Sequence, residues 1–424
     1  MPVSATVLVY GARSALNVSQ SVPLLHSLRQ QQQCQSLRNN DDALTATRVG
    51  SFRLIHTYAQ IQDAIHGIIY LPSYIQEITQ QSDFQRLKKV FQLGLLPLSV
   101  KPGANHTRFE HCIGTFKSAQ DQLNALLRNS NYEYELPDWC RKSVEIAALL
   151  HDIGHGPFSH TWEHVCEGQF NHEKNSEACV DRVFSDARDD ELVALRDDHN
   201  GRGVNLIKAL ILGDRSKLNY VMMHHAYIFD IVHNKVCGLD VDKWDYLRRD
   251  NHYLQVLSAD EMDFDEIFLN ARIAPDGQRI EYRYEDYHKI WLLYLARHRL
   301  HLEAYQLPKV LLCNDIFGEI VRRQQPHLLD VNAESDPEEW LRLNDERVLE
   351  QITNDTETQY LRATERIEEA NEGRLVRRRI SGPGEDMNSN KVYAFYGNPS
   401  LRRDIFLQEN QQQSTIIEKY FKLK

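Results

Sequence analysis

Long apolar runs are missing from this 424-residue chain. None reaches the ~20 residues that a membrane-crossing helix needs, so insertion into a bilayer is not expected. Cysteine offers no scaffold either: there are seven, an odd number without a Cys-x-x-Cys pair, which argues for reducing surroundings and against a disulfide framework. Positive charge is in deficit. Lys and Arg total 49 against 60 Asp and Glu, a net charge of -11, which disfavours nonspecific nucleic-acid binding by the chain as a whole. One local basic patch, Arg374, Arg377, Arg378 and Arg379, leaves room for single-stranded nucleic acid there. The first forty residues contain no Asp or Glu, only Arg13, Arg29 and Arg38 among Ser and Gln, so residues 1–50 read as a disordered leader. A mitochondrial transit peptide shares that bias, but the segment's amphipathicity is poor.

What is present is helical periodicity. The length accommodates one large helical core, expected over residues 51–325, and a smaller C-terminal lobe over 326–424. Apolar spacing predicts helices through Val144–Leu150, Ile290–Leu302 and Val310–Val321. A hairpin is expected over Ala271–Tyr282 around Pro275-Asp276-Gly277. Two helices are expected between Pro337 and Arg379, then a break at Ser381-Gly382-Pro383-Gly384, a late strand at Val392–Tyr396 and a terminal helix. No internal repeat is apparent.

The chemistry concentrates at His151-Asp152, within Leu149-Leu150-His151-Asp152-Ile153-Gly154-His155-Gly156-Pro157-Phe158-Ser159-His160. Imidazole nitrogen and carboxylate oxygen suit a borderline or hard divalent ion, and ligands from separate helices can enclose it while leaving positions for water and substrate. His155 follows His151 by one helical turn, so both are expected to face one cleft. His160 lies beyond Gly154, Gly156 and Pro157, where the helix should break, and is expected as a mobile imidazole at the mouth. Two further segments supply candidates. His106-Thr107-Arg108-Phe109-Glu110-His111 places Arg108 three residues before His111, a guanidinium beside an imidazole. Gly238 to Asp250 is dense in carboxylates, with Lys243 adjoining Asp242. His111, His151, Asp152 and Asp242 form a set of two imidazoles and two carboxylates.

These segments, together with Asp63-Ala64-Ile65-His66-Gly67, Phe84-Gln85-Arg86-Leu87, Gln92-Leu93-Gly94 and Leu300-His301-Leu302-Glu303-Ala304-Tyr305-Gln306, recur in this order in the deoxynucleoside triphosphate triphosphohydrolases among the HD-domain phosphohydrolases. The chain resembles that family over about residues 50–325, and more faintly beyond; several ordered motifs are far more specific than any one. About fifty residues precede the match, fewer than the sterile alpha motif of the animal enzymes needs. The resemblance implies a mainly α HD-domain fold with a small mixed α/β C-terminal lobe. It implies that His111, His151, Asp152 and Asp242 hold a divalent ion, whether Fe, Mn, Mg or Zn. Arg108, Lys243 and Arg297 resemble its phosphate-binding cations, and His160 and His172 its histidines beside the α-phosphate, one of them the general acid to the departing 5'-oxygen. The family commonly has Asp where this chain has Glu163, whose longer arm would have to orient His172.

For the sugar and base the resemblance carries over Gln92, Leu93, Tyr246, Asp250, His301, Tyr305 and Gln306. Tyr305 and Leu93 would close the space beneath C2', and Asp250 and Gln92 would bind the 3'-hydroxyl; a plain core position for Tyr305, at helical spacing from His301, is the lesser alternative. A homo-oligomer, dimer or tetramer, and a nuclear or cytoplasmic location are implied. The family's activating guanine pocket uses an acid and an arginine, where this chain has Gln80 and Lys88 and retains only Gln85; Ala59 and Leu307-Pro308 likewise replace charged or basic positions. Activity without a GTP or dGTP activator, or with one bound in a differently built pocket, is therefore expected. Two rival functions remain: a nucleotide or nucleic-acid phosphodiesterase on the same ion, and a noncatalytic nucleic-acid-binding scaffold with an inherited site.

Overall fold

A computed structural model describes residues 59–352, apart from Tyr132, 199–200 and 218–219, and the strand backbones Val392–Phe395 and Arg402–Ile405. The helices that build the site are α1 (Arg108–Asn129), α2 (Asp138–Leu150), α3 (His160–Val165), α4 (His172–Ser185), α5 (Arg202–Leu212), α6 (Val241–Leu254), α7 (Tyr287–Leu300) and α8 (Pro308–Gln324). The longest, α1, starts where the sequence supplies its own cap. The Glu110 carboxylate accepts from the Thr107 backbone N–H at 2.6 Å and from its hydroxyl at 2.7 Å, which pairs a donor that a helix start leaves open. Along one side of α1, Cys112, Ile113, Phe116, Ala119, Leu123 and Leu126 recur every three or four residues and are all buried. That stripe packs on α2 and α6, and α5 covers the other side of α2. The three predicted helical segments are present as α2, α7 and α8.

The fold is mainly α, as expected, with little sheet. Strands β1 (Ala59–Asp63) and β2 (Gly67–Leu71) pair antiparallel, Ala59 opposite Leu71, and Asp63 Oδ1 ties the connecting turn by accepting from the N–H groups of Ile65 and His66. The expected hairpin forms from β3 (Arg272–Ile273) and β4 (Ile280–Arg283). The late strand is β5 (Val392–Phe395), which runs parallel to β4 and antiparallel to β6 (Arg402–Ile405) in the order β3-β4-β5-β6. Two short helices, Pro337–Arg342 and Asp345–Ile352, stand where two were expected. Leu328, Trp340, Leu343 and Val348 belong to the same hydrophobic cluster as α1 and α2. The leader, the basic patch at 374–379, the break at 381–384 and the terminal helix lie outside the described residues.

One departure concerns α7, which regular spacing predicts through Leu302. It ends at Leu300 and widens into a π-helical turn, His301–Tyr305, a distortion that apolar periodicity does not encode and that recurs at functional sites. Pro308 then opens α8 from a position where its missing N–H costs nothing. Among the described residues no helix is long and apolar enough to cross a membrane. Phe116, with no exposed surface at the centre of the α1 stripe, tests the packing: Phe116→Ala is expected to lower the unfolding free energy by about 3–5 kcal/mol through lost burial and a cavity, read as a reduced urea midpoint at unchanged slope.

Candidate active site

Three helix ends bring the ligand candidates together. His111 is on the first turn of α1, His151 follows the last residue of α2, and Asp242 is on the first turn of α6. Each imidazole is tied at its far nitrogen, His111 Nδ1 to Asp245 Oδ2 at 2.9 Å and His151 Nδ1 to the Ala148 carbonyl at 2.9 Å. With Nδ1 donating, Nε2 of each ring is left as an acceptor. These two Nε2 atoms are 3.2 Å apart. His111 Nε2 lies 3.3 Å from Asp152 Oδ2 and 3.2 Å from Asp242 Oδ1, and His151 Nε2 lies 3.3 Å and 3.5 Å from the same oxygens. With ligand bonds of ~2.0–2.2 Å, neighbouring ligand atoms of one shell lie roughly 3.0–3.5 Å apart. The residues therefore fit a divalent ion by both spacing and lone-pair chemistry. Burial opposes charge on His151, yet the Asp152 and Asp242 carboxylates hold it up at about 9. Despite burial, Asp152 is held well below the usual carboxylate range by Arg108 and His151, and Asp242 by His111 and His151. The field at the centre favours a cation.

Beyond α2 the chain turns tightly rather than continuing the helix. A Cβ on Gly154 would fall 2.3 Å from the Ser176 nitrogen and 2.4 Å from the His172 carbonyl oxygen, so only glycine lets this loop press against α4. His155 comes to the cleft through this turn rather than along a continued helix, its Nε2 3.3 Å from Asp152 Oδ1. Its ring is fully buried and stacks on His172, centroids 3.9 Å apart and planes within 10°. Burial, with the nearby Arg108 and His172 charges, holds His155 well below its ordinary range and keeps it neutral. His160 begins α3 and is exposed, as its place at the mouth requires, but it is anchored: Glu163 accepts from His160 Nδ1 at 2.9 Å through one oxygen and from His172 Nδ1 at 2.7 Å through the other. The glutamate thus reaches both rings, and these bonds hold it far below the usual carboxylate range although burial pushes the other way. His155, His160 and His172 form a second cluster close enough to share an ion, but an all-histidine one.

Asp242, Tyr246 and Asp250 repeat every four residues and so share one face of α6. Asp250 is bracketed, accepting from His106 Nε2 at 2.7 Å and from the Tyr305 hydroxyl at 2.5 Å. His301 meets Tyr305 edge to face at 5.0 Å, and burial with Arg297 nearby pushes it down to about 4. Gln92 is buried and its Oε1 has no partner among the described residues; the Oε1 of Gln306 is likewise unpaired. Leu93 packs half-buried against the core. Arg297, in the last turn of α7, acts electrostatically on Tyr246, His301 and Tyr305. The other two expected cations are engaged here: Lys243 Nζ bonds both Asp240 oxygens at 3.1 Å, and buried Arg108 bonds Asp152 and, at 2.9 Å, the Ser159 hydroxyl.

Sequence reading missed the residues behind His111. Asp245 accepts from His111, from His66 at 2.8 Å and from Arg249 at 2.8 Å and 3.0 Å, and Arg249 continues to Asp63 at 2.9 Å. A Cβ on Gly114 would lie 1.9 Å from Asp245 Oδ1, so the helix-to-helix approach depends on that glycine. The signal was legible in the spacing, since Asp245 follows Asp242 by three residues and precedes Arg249 by four. Asp152→Asn and Asp242→Asn are each expected to emerge without stoichiometric ion. Asp245→Asn is expected to keep the fold and bind the ion ~10- to 100-fold more weakly. Elemental analysis after dialysis against graded chelator checks this; full occupancy in the first two variants rejects the ligand set.

Comparison with known proteins points the same way. Residues 108–247 match the HD domain family. An HD domain-containing protein of Acanthamoeba polyphaga mimivirus is 30% identical over 303 residues, 68% of this chain and 63% of that protein. The deoxynucleoside triphosphate triphosphohydrolase SAMHD1 homolog of Dictyostelium discoideum is 29% identical over 290 residues, 67% of this chain and 53% of its own length. For SAMHD1 of Homo sapiens the values are 30% over 268 residues, 59% and 42%. The chain thus spans about half the length of the curated relatives it matches. It carries an HD domain, and over about three fifths of its length it resembles the SAMHD1 deoxynucleoside triphosphate triphosphohydrolases.

Proposed function

We propose that this protein hydrolyses deoxynucleoside triphosphates to deoxynucleoside and inorganic triphosphate. The observation that carries the reading is the face of α6, which runs from Asp242 in the ligand set to Asp250, bonded to Tyr305; an ion site and a hydroxyl-binding carboxylate are thereby joined on one rigid element. A bound divalent ion supplies charge neutralisation and Lewis acidity at the phosphate. His111, His151, Asp152 and Asp242 are its proposed ligands. Arg108, Lys243 and Arg297 steady the phosphate oxygens, the first two by exchanging their present carboxylate partners for phosphate. Water attacks the α-phosphorus, the bond to the 5'-oxygen breaks, and a protonated His160 or His172 gives its proton to that oxygen. Glu163, ionised and bonded to both rings, orients them and stabilises the imidazolium. Neutral His155, stacked on His172, fixes that ring's plane without adding charge.

On the sugar side, Asp250 and Gln92 take the 3'-hydroxyl, the latter through its unpaired buried oxygen. Tyr305, pinned by its hydroxyl, and Leu93 fill the space a 2'-hydroxyl would need, while Tyr246, His301 and Gln306 flank the base and sugar. Lys88 lies over the Phe109 ring at 4.7 Å and Gln85 donates to the Thr79 carbonyl, which supports turnover without a guanine-nucleotide activator. A homo-oligomer is part of the proposal.

Incubation with each dNTP, each rNTP and a single-stranded oligonucleotide, with and without GTP, resolved by chromatography, is expected to give deoxynucleoside and triphosphate from dNTPs alone and independently of GTP. Release from the oligonucleotide instead of dNTPs overturns the reading in favour of a phosphodiesterase. Sedimentation run alongside shows whether GTP changes the assembly. His160→Ala and His172→Ala should each keep the ion and lose ~100-fold or more in kcat; near-parental rates in both place the acid elsewhere.

A further inference from the structure

Asp345 stands far from the HD motifs in sequence, in the first turn of the helix Asp345–Ile352, yet its carboxylate is buried against the cleft. Oδ1 accepts from the Phe158 backbone N–H at 2.6 Å and Oδ2 from that of Phe91 at 2.8 Å. The Phe91 carbonyl in turn accepts from the Ser159 hydroxyl at 2.6 Å, and the same hydroxyl oxygen receives Arg108 Nε at 2.9 Å. These bonds close a ring through Asp345, Phe91, Ser159 and Phe158. Phe158 and Ser159 are consecutive non-glycine residues at φ +56° and +57°, a conformation that costs energy and persists only where surrounding bonds enforce it. Ser159 leads directly into His160, and Phe91 into Gln92.

We propose that Asp345 is a positioning residue: by bonding both backbones it holds His160, at the leaving-group side, in register with Gln92, at the sugar side. Its chemistry suits that role better than helix capping, which Asn344 already provides through the Arg347 N–H at 3.1 Å. Only a carboxylate offers two acceptor oxygens in one plane; an amide would turn an NH₂ group against one of the two N–H donors. Burial pushes the Asp345 carboxyl up to about 7 although both N–H groups and Arg86 pull it down, so desolvation outweighs its partners at this position. Arg86 secures the other flank of the same loop, donating to the carbonyls of Ile153 at 3.0 Å and His155 at 2.6 Å and to Leu343 at 3.1 Å.

The inference rests on the proposed dNTP hydrolysis, and its test separates the two. Asp345→Asn is expected to keep full ion occupancy and lose ~10- to 100-fold in kcat with KM for dNTP changed by less than about threefold, because misplacement acts on the transition state. Val348→Ala, in the same buried helix, serves as a control for destabilisation and should keep parental kcat at a comparable fall in Tm. Parental kcat in Asp345→Asn, or an equal kcat loss in Val348→Ala, overturns the proposal. Amide exchange in the unsubstituted protein is the second arm: Phe91 and Phe158 should exchange with the slow amides of α1, and exchange at open-loop rates overturns the proposal whatever the variants do. A parental protein that releases no triphosphate refutes the hydrolysis reading, while the exchange data still decide for or against Asp345.

Discussion

A concentration of carboxylates governs the centre of this molecule. Asp245, Asp152 and Asp242 converge where α1, α2 and α6 meet, with Asp63 behind them; Arg249 lies between Asp63 and Asp245, Arg108 is on Asp152, and Lys243 acts electrostatically on Asp242. Against burial, the Asp152 and Asp242 carboxylates also hold His151 up at about 9, so protons on the imidazoles answer them where no ion is bound. Buried ion pairs rarely repay their desolvation, so this arrangement is poor as a device for stability alone. It is suited to a divalent cation, whose charge would replace those protons and whose candidate ligands already surround one point. The neighbouring packing follows from this demand: Gly114 is the one residue type that lets α1 approach the Asp245 carboxylate, and the His111 ring is fixed from behind before any ligand arrives.

The adjoining histidine cluster is built on the opposite rule, scarcity of charge. A single carboxylate, Glu163, serves two rings, and the third ring is buried and neutral. One bridging anion couples His160 and His172, so a proton given up by either is felt by both. Glutamate in place of a shorter aspartate lets one carboxylate span the exposed ring at the mouth and the shielded ring behind it.

How much of this was legible in the sequence depends on the range of the interaction. Local signals survived: the Thr107–Glu110 cap, the apolar stripe of α1, the turn between β3 and β4, and the Asp242, Tyr246 and Asp250 repeat all lie within a few residues of their partners. His111, His151, Asp152 and Asp242 were assembled from ordered motifs, and the structure brings each imidazole Nε2 within 3.2–3.5 Å of a carboxylate oxygen of Asp152 and of Asp242. His155 comes to Asp152 by a tight turn against α4 rather than by a helical one, and a run of helical spacing gives no sign that the helix ends at Leu150. The π turn at His301 was invisible for the same reason. Asp345 was beyond reach altogether, since no local pattern announces a carboxylate whose partners lie 187 and 254 residues earlier.

That long-range ring also ties a short segment after residue 325 to the loop that leads into His160. The HD motif ends in two residues with positive φ, which an isolated loop would relax, and the groups that prevent relaxation come from elsewhere: Phe91 from before α1, Arg86 from the turn preceding it, and Asp345, Leu343 and Trp340 from the helices after α8. The Arg86 guanidinium sits 4.0 Å over the Trp340 ring while donating to loop carbonyls, so an apolar anchor and polar clamps act through one side chain. Local bonds such as Ser159 N–H to the Gly156 carbonyl and His160 Nδ1 to Glu163 shape the turn, and the Asp345 carboxylate ties that turn to Phe91 from across the chain.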